Sequence, residues 1–315
     1  CQGVALFSER PSCKDLFNLM RKLFMMTSQF TNRTSSSDVV LRDDEFFELR
    51  GFILRVSGIF FPDSKRYFIE SRLKKRVEQL GLSSFREYID FLRFSPYRGK
   101  ELDILFGLIT VNETYFFRDE LQLKAIEENI LPELINSKPR NGFRRLRIWS
   151  AGCSTGEEPY TIAMIFLEKI QPKFPDVVVE IIGTDINGSV LEVAKIGVYG
   201  NYSVRFVPEN YLSRFFEIKG DKFYLRDEVK RLVRFERVNL VDKFQMLGMK
   251  GFDLVLLRNV LIYFDEGARR EVVSLIYDSL NRGGYLMVGY SESLRNVTKA
   301  FKVVYFEKAV AYKKE

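Results

Sequence analysis

Four short segments carry side chains able to bind and orient a ligand. In RIWSAGCSTGEEPYTIAMIFL, Gly152 and Gly156 separate an apolar run from a helical one, with Glu157 and Glu158 directly behind them. Asp185 closes the apolar run IIGTD, and Arg258 and Asn259 close FDLVLL. VNETYFFRD sets Asn112, Thr114 and Arg118 among aromatic residues whose own place is the core, a placement that leaves the polar trio unexplained.

The glycine spacing narrows the ligand. GxxxG is not the GxGxxG dinucleotide pattern, and no lysine follows Gly156 as a P-loop requires. Two carboxylates at the helix start repel a phosphate and attract a cation. S-adenosylmethionine, with a sulfonium and an ammonium, suits such a mouth, whereas a nicotinamide cofactor does not. Acidic residues also favour a helix N-terminus through its dipole, and Asp185 also reads as a cap for INGSVLEVAKIG, so both alternatives stand here.

Composition limits the chemistry further. Among 315 residues there is no histidine, which excludes Ser-His-Asp triads, Cys-His dyads and HExxH zinc sites. Three scattered cysteines give neither a disulfide framework nor a CxxC metal site, so no metal is expected. Cys153 reads as a small loop-filling residue rather than a nucleophile. Lys and Arg total 49 against 42 Asp and Glu, a formal charge of +7. No run approaches the roughly 18 apolar residues of a membrane span, and the expected location is cytoplasmic. Cys1 as first residue leaves a processed lipoprotein as the lesser alternative, and Met25 and Met26 are candidate starts.

These segments need elements to hold them. Residues 1–40, with the Ser/Thr-rich stretch TSQFTNRTSSSD, read as a poorly structured arm. Residues 41–136 show apolar spacings of three and four throughout and predict four or five helices. From residue 137 to 315, β-rich runs alternate with helical ones, which predicts an α/β, doubly wound, Rossmann-like sheet. In such a sheet the carboxyl ends of the strands, where Gly152, Asp185, Arg258 and Asn259 fall, form the ligand crevice. Residues 215–236 break the rhythm around a Lys-Gly-Asp turn and predict a small antiparallel β insert.

The same residues resemble the chemotaxis receptor methyltransferases, CheR. VNETYFFRD, WSAGCSTGEEPY, GTDIN, LLRNVLIYFD and GYSESL follow that family's segments in order, over about residues 45 to 310. The resemblance implies an N-terminal helical substrate-recognition domain and a catalytic domain that binds S-adenosylmethionine and releases S-adenosylhomocysteine. It implies a pocket lined by Asn112, Thr114, Arg118, Gly152, Glu158, Asp185, Asn239, Leu240, Arg258 and Asn259, with Arg118 and Tyr263 nearest the transferred methyl. The implied product is a γ-carboxyl methyl ester of glutamate on the cytoplasmic helices of transmembrane chemoreceptors, setting chemotactic adaptation. That chemistry suits a chain without histidine, because a glutamate of pKa about 4.3 is already ionised and needs no general base.

DSKRYFIESRLKKRVEQLGL reads as an amphipathic helix with a cationic border of Lys65, Arg72, Lys75 and Arg76 beside the stripe Ile69, Leu73, Val77 and Leu80. A basic face is often only solvated surface, but the resemblance assigns these cations to an acidic receptor helix. The insert looks shorter than in relatives that tether to a receptor's C-terminal pentapeptide, which argues against that tether. Tyr290 stands where many relatives have histidine. The rival readings are a nucleic-acid methyltransferase, for which no NPPY-like or RNP segment exists, and a non-catalytic cofactor-binding signalling module. Nucleic acid is therefore not an expected partner.

Overall fold

The computed structural model describes residues 39–140 and 142–315. Most of the arm expected over residues 1–40 thus lies outside the described residues.

Helices α1 (Asp43–Ser57), α2 (Arg66–Gln79), α3 (Phe85–Phe94) and α4 (Arg98–Ile109) form the helical part. Three acids in the first turn of α1 complement its dipole, and Gly58, at φ 73°, ends it. A side chain at Gly58 would collide with Val241 and Phe264, so the chain turns there against the catalytic part. The buried Glu101 carboxylate joins three helices, accepting hydrogen bonds from Arg76 and, at 2.9 Å, from the Tyr88 hydroxyl.

A seven-stranded sheet follows, made of β1 (Arg144–Ala151), β2 (Val177–Asp185), β6 (Val233–Arg237), β7 (Phe252–Leu257), β8 (Leu280–Val288), β9 (Lys302–Phe306) and β10 (Ala309–Lys313). Its order is β6-β2-β1-β7-β8-β10-β9, with β10 antiparallel to both β8 and β9 and the remaining neighbours parallel. β7 is buried at every residue, as the run FDLVLL, apolar but for Asp253, requires of a central parallel strand, and Asp253 accepts from Lys138, Arg147 N and Asn281. Helices α5 (Glu157–Ile165), α6 (Gly188–Ile196) and α7 (Glu266–Ser279) follow β1, β2 and β7. The order reverses between β1 and β7, which opens a crevice at their carboxyl ends.

Two boundaries differ from the sequence reading. The helical stretch from Glu120 to Asn136, which contains a π turn at Ile126–Ile130, joins the sheet's core through Leu123, Ile126, Ile130 and Leu134 rather than the helical part. Its apolar periodicity says helix but not which core receives it. The small antiparallel sheet has the order β3-β5-β4, with β3 (Val198–Tyr199), β4 (Phe216–Lys219) and β5 (Lys222–Leu225). It therefore begins before residue 215, while β6 at the far end of the expected insert pairs with β2 in the main sheet. Gly220, at φ 61°, makes the predicted Lys-Gly-Asp turn.

Candidate functional site

The loops after β1, β2 and β7 meet the segment 109–118 and residues 57–68 around one cleft of about 510 Å³. Its size is that of a small-molecule site. Among the described residues, the non-glycine residues with left-handed backbone are Phe117, Asp119, Ser154 and Asn259, and all four lie in or directly beside these segments. Such backbone concentrates where function dictates geometry, and two of the four flank Arg118.

The loop after β1 is fixed by backbone. Gly152 N and Cys153 N donate to the Thr184 carbonyl at 2.7 and 2.8 Å, and Gly152 requires φ 75° with Val260 close against it. Ser154 N donates to Asp185 Oδ2 and Asn187 N to Asp185 Oδ1, each at 2.9 Å. Asn187, not Asp185, caps α6, accepting from Ser189 N at 3.0 Å. The Ile186 N–H also donates to this carboxylate, so three backbone donors hold Asp185 where it lines the cleft. Burial raises the Asp185 carboxyl above its ordinary value, and the backbone N–H groups oppose this. Ser154 Oγ is buried without a hydrogen-bond partner, and Ser154 also lines the cleft. Burial pushes the Cys153 thiol well up, in keeping with a filler rather than a nucleophile.

The two adjacent acids separate. Glu158 lines the cleft, accepting from Ser150 Oγ at 2.6 Å and from Arg258 Nη1 at 2.9 Å. Glu157 does not line it; its buried carboxylate, raised by desolvation, accepts from Thr155 and Ser203 hydroxyls at 2.7 and 3.0 Å. The expected pair of cleft carboxylates is therefore one, since successive helical side chains diverge by about 100°. Asp185 supplies the second from β2.

Arg258 lines the cleft, yet its guanidinium is held by protein. Nε donates to Gln122 Oε1 at 2.8 Å, Nη1 to Glu158, and Nη2 to the Arg118 carbonyl at 2.6 Å and Asp119 Oδ2 at 2.8 Å. With the side chain 3% exposed, it is a strut between the cofactor loop and the Arg118 segment. Asn259 N donates to Glu292 Oε2 at 2.8 Å, and Gly289 N and Ile262 N donate to the same carboxylate at 2.7 and 3.1 Å. Sequence reasoning took Asp119 and Glu292 only as parts of motifs and missed Gln122; nothing in spacing alone distinguishes them.

Arg118 Nη1 donates to the Glu113 carbonyl at 3.0 Å, and its guanidinium lies 5.6 Å from the Tyr115 ring centroid. Tyr263 lines the same cleft; burial raises its phenol, Arg118 opposes that, and Glu113 and Glu292 add to it. The phenol is therefore a hydrogen-bond donor at neutral pH. The Tyr263 carbonyl accepts from Phe60 N at 2.9 Å beside an antiparallel bridge between Ile59 and Phe264. Asn112, Thr114 and Leu240 also line the cleft, Asn112 Nδ2 donating to Thr110 Oγ1 at 3.3 Å. Asn239 lines it too, but its Nδ2 donates to the Val56 carbonyl at 2.7 Å, tying the helical part to the catalytic part.

The basic helix divides by face. Lys65 borders the cleft, and Lys65 and Arg72 lie 5.8 and 5.2 Å from the ring of Phe68, itself a cleft residue. Lys75 is exposed and does not line the cleft. Arg76 departs from the expectation: it makes a two-pronged ion pair with buried Glu101 that raises its own pKa. Its position on the helix edge places it against α4, where it serves the fold.

Residues 112–310 match the family model described as CheR methyltransferase, SAM binding domain, and residues 44–110 match the CheR methyltransferase, all-alpha domain. The chain belongs to the CheR methyltransferase family. It is 38% identical to chemotaxis protein methyltransferase 2 of Vibrio cholerae, over 88% of this chain and 95% of that protein. It is 36% identical to chemotaxis protein methyltransferase 1 of Pseudomonas aeruginosa, over 85% of this chain and 97% of that one. Among solved structures, magnesium protoporphyrin IX methyltransferase from Synechocystis, with bound SAM, superposes with a TM-score of 0.32 at 12% identity, over 71% of this chain and 91% of that one. Membership rests on the sequence matches. As a CheR methyltransferase the chain is S-adenosylmethionine-dependent. The boundary between the two family models, near residue 111, agrees with the packing of residues 120–136 on the sheet. No helix among the described residues is long and apolar enough to cross a membrane.

Proposed function

We propose that this CheR methyltransferase forms γ-carboxyl methyl esters on glutamate side chains of chemoreceptor helices. The observation that carries the reading is the Arg118 guanidinium, anchored by the Glu113 carbonyl and the Tyr115 ring at the wall of a cleft that it shares with a protonated Tyr263. A fixed cation and a phenol donor orient an incoming carboxylate without taking a proton from it.

The cleft suits S-adenosylmethionine. Asp185 is an acceptor for a ribose hydroxyl, Ser154 Oγ is an unsatisfied buried group of a cleft-lining residue, and Glu158 with Asp185 favours a cationic ligand. When bound, that cofactor supplies an electrophilic methyl on a positively charged sulfur. That methyl would pass to a glutamate oxygen, whose lone pair would make the C–O bond while the C–S bonding pair stayed on sulfur. No proton moves, in accord with a chain that has no histidine. Arg118 and Tyr263 hold the carboxylate in line, and Arg258 holds Arg118 from below. Lys65 and Arg72 give the acidic substrate helix a cationic approach.

The test incubates the protein with radiolabelled S-adenosylmethionine and membranes of its source organism. Base-labile methyl release from a receptor-sized band is expected. Label in RNA, or no transfer with cofactor bound, would overturn the reading.

A further inference from the structure

One cluster packed against the cleft residue Tyr115 has no part in the methyl-transfer reading above. Tyr202, Arg205 and Phe206 lie on and just after a short helix, Asn201–Val204, and all three are exposed. The Arg205 guanidinium stands 3.6 Å from the Tyr202 ring centroid, 3.9 Å from that of Tyr115 and 5.0 Å from that of Phe206. Its Nη1 donates to the Tyr202 carbonyl, and the Tyr202 hydroxyl donates to Glu113 Oε1 at 3.1 Å. Rings on several sides restrict the arginine, so little rotamer freedom remains to be lost on binding.

The decisive relation is through Tyr115. This cleft residue has the Arg205 guanidinium at 3.9 Å and the Arg118 guanidinium at 5.6 Å from the same ring. Both arginines are anchored by backbone carbonyls, Arg118 on Glu113 and Arg205 on Tyr202. Two anchored cations that share one aromatic ring stand near enough together for two acids three or four apart on a helix, with Cβ atoms about 5–6 Å apart and flexible side chains, to reach one each. Exposed aromatic side chains beside a pre-set arginine are also the composition of an interface anchor.

We propose that Arg205 is a second carboxylate-binding group, which reads an acidic side chain one helical turn from the glutamate presented to Arg118. This rests on the glutamate-acceptor reading above and adds a requirement to it: the acceptor helix must carry that neighbouring acid. The competing account is a plug, in which Arg205 merely stacks to hold Tyr115.

The test measures initial methylation rates over a range of chemoreceptor-bearing membranes for the wild type, Arg205→Gln and Arg205→Lys, with adenosylhomocysteine binding by calorimetry. Arg205→Gln should raise the receptor KM about three- to tenfold, the scale of an exposed charge-assisted contact, with kcat within about twofold. Arg205→Lys should recover part of the loss, and adenosylhomocysteine affinity should not change. Replacing the acids one turn from the methylated glutamate by alanine should raise KM for the wild type and add nothing for Arg205→Gln. An unchanged KM in Arg205→Gln, or a fall in kcat and unfolding midpoint with KM held, would overturn the proposal alone. A wild type that binds adenosylhomocysteine but labels no receptor overturns the acceptor reading and the proposal with it.

Discussion

The guanidinium of Arg258 donates to the side chain of Glu158 at 2.9 Å and, through its other nitrogen, to the Arg118 carbonyl at 2.6 Å. One buried side chain thereby ties the loop after β1 to the segment that carries Arg118, the residue proposed to receive the substrate carboxylate. A strand end and a loop 140 positions earlier in the chain become one unit.

Removing that side chain should therefore cost both fold and catalysis. Arg258→Gln leaves Glu158 and Asp119 without their cation, and breaking a buried pair costs about 3–5 kcal/mol. Chemical denaturation should show a loss toward the lower end of that range, because Asp119 is partly exposed. Arg258→Lys keeps the charge but cannot reach four acceptors, so it should retain most of the stability yet lose kcat. Equal kcat in Arg258→Lys and wild type would dismiss the strut.

Arg118→Ala and Tyr263→Phe act above the strut. Loss of a charged orienting contact should lower kcat about 100-fold in Arg118→Ala, and loss of the phenol about tenfold in Tyr263→Phe. Calorimetry with adenosylhomocysteine should show smaller changes in both, since the Asp185 and Ser154 contacts remain. If turnover is unchanged in both variants, neither residue has the role given to it.

Most of this architecture was legible in the sequence, because FDLVLL and VVVEIIGTD are largely apolar, β-rich runs and polar residues mark their carboxyl ends. Strand-end residues such as Asp185 and Arg258 follow from that placement alone. What spacing did not reveal was partnership. Glu157 and Glu158 are indistinguishable in sequence, yet one turns into the core and the other toward the cleft. Arg72 and Arg76 lie one turn apart on one edge, yet only Arg76 meets a buried acid, because α4 packs against its turn of the helix. Residues 120–136 read as helical, but their core was set by tertiary contacts with the sheet.

The two arginines give a direct contrast. Arg76→Met should destabilise the protein by about 2–4 kcal/mol, since buried Glu101 would lose its partner, whereas Arg72→Met should stay within about 0.5 kcal/mol. Receptor KM should respond in the opposite order, with Arg72→Glu raising it and flattening its salt dependence. Thermal unfolding and rate measurements at two ionic strengths separate the effects.

The pH dependence follows from the absence of a base. Activity should rise on the acid side as the acceptor glutamate ionises, near its ordinary pKa of about 4.3, and then stay level through neutrality. The raised Tyr263 phenol stays protonated beyond the ordinary tyrosine value of about 10, so no alkaline limb should appear below it. A stability term behaves differently. Burial alone would raise Glu133, but Lys313 and Tyr285 donate to it and hold it below its ordinary value. A lowered folded pKa means that the stabilisation is present above the unfolded value and lost as pH falls through the folded one. Glu133→Gln should accordingly be less stable than wild type at pH 7 and converge with it in acid. A kcat profile with a limb between about pH 6 and 8 would point to a titrating base and reject this mechanism.

Glu292 should reveal how far the loop after β7 depends on one carboxylate. Its two oxygens accept from the backbone of Gly289, Asn259 and Ile262, and Asn259 is held there at φ 59°. Glu292→Gln keeps the shape but replaces one acceptor oxygen by a donor that must face an N–H. Leaving such a group unsatisfied costs about 1–3 kcal/mol, and the strained Asn259 is the first point to relax. Because Tyr263 follows in the same loop, kcat should fall together with adenosylhomocysteine affinity, unlike in Tyr263→Phe, where kcat falls mainly by itself. A variant with wild-type kinetics would mean that the loop keeps its form through Gly152, Val260 and the Phe60–Tyr263 backbone bond instead.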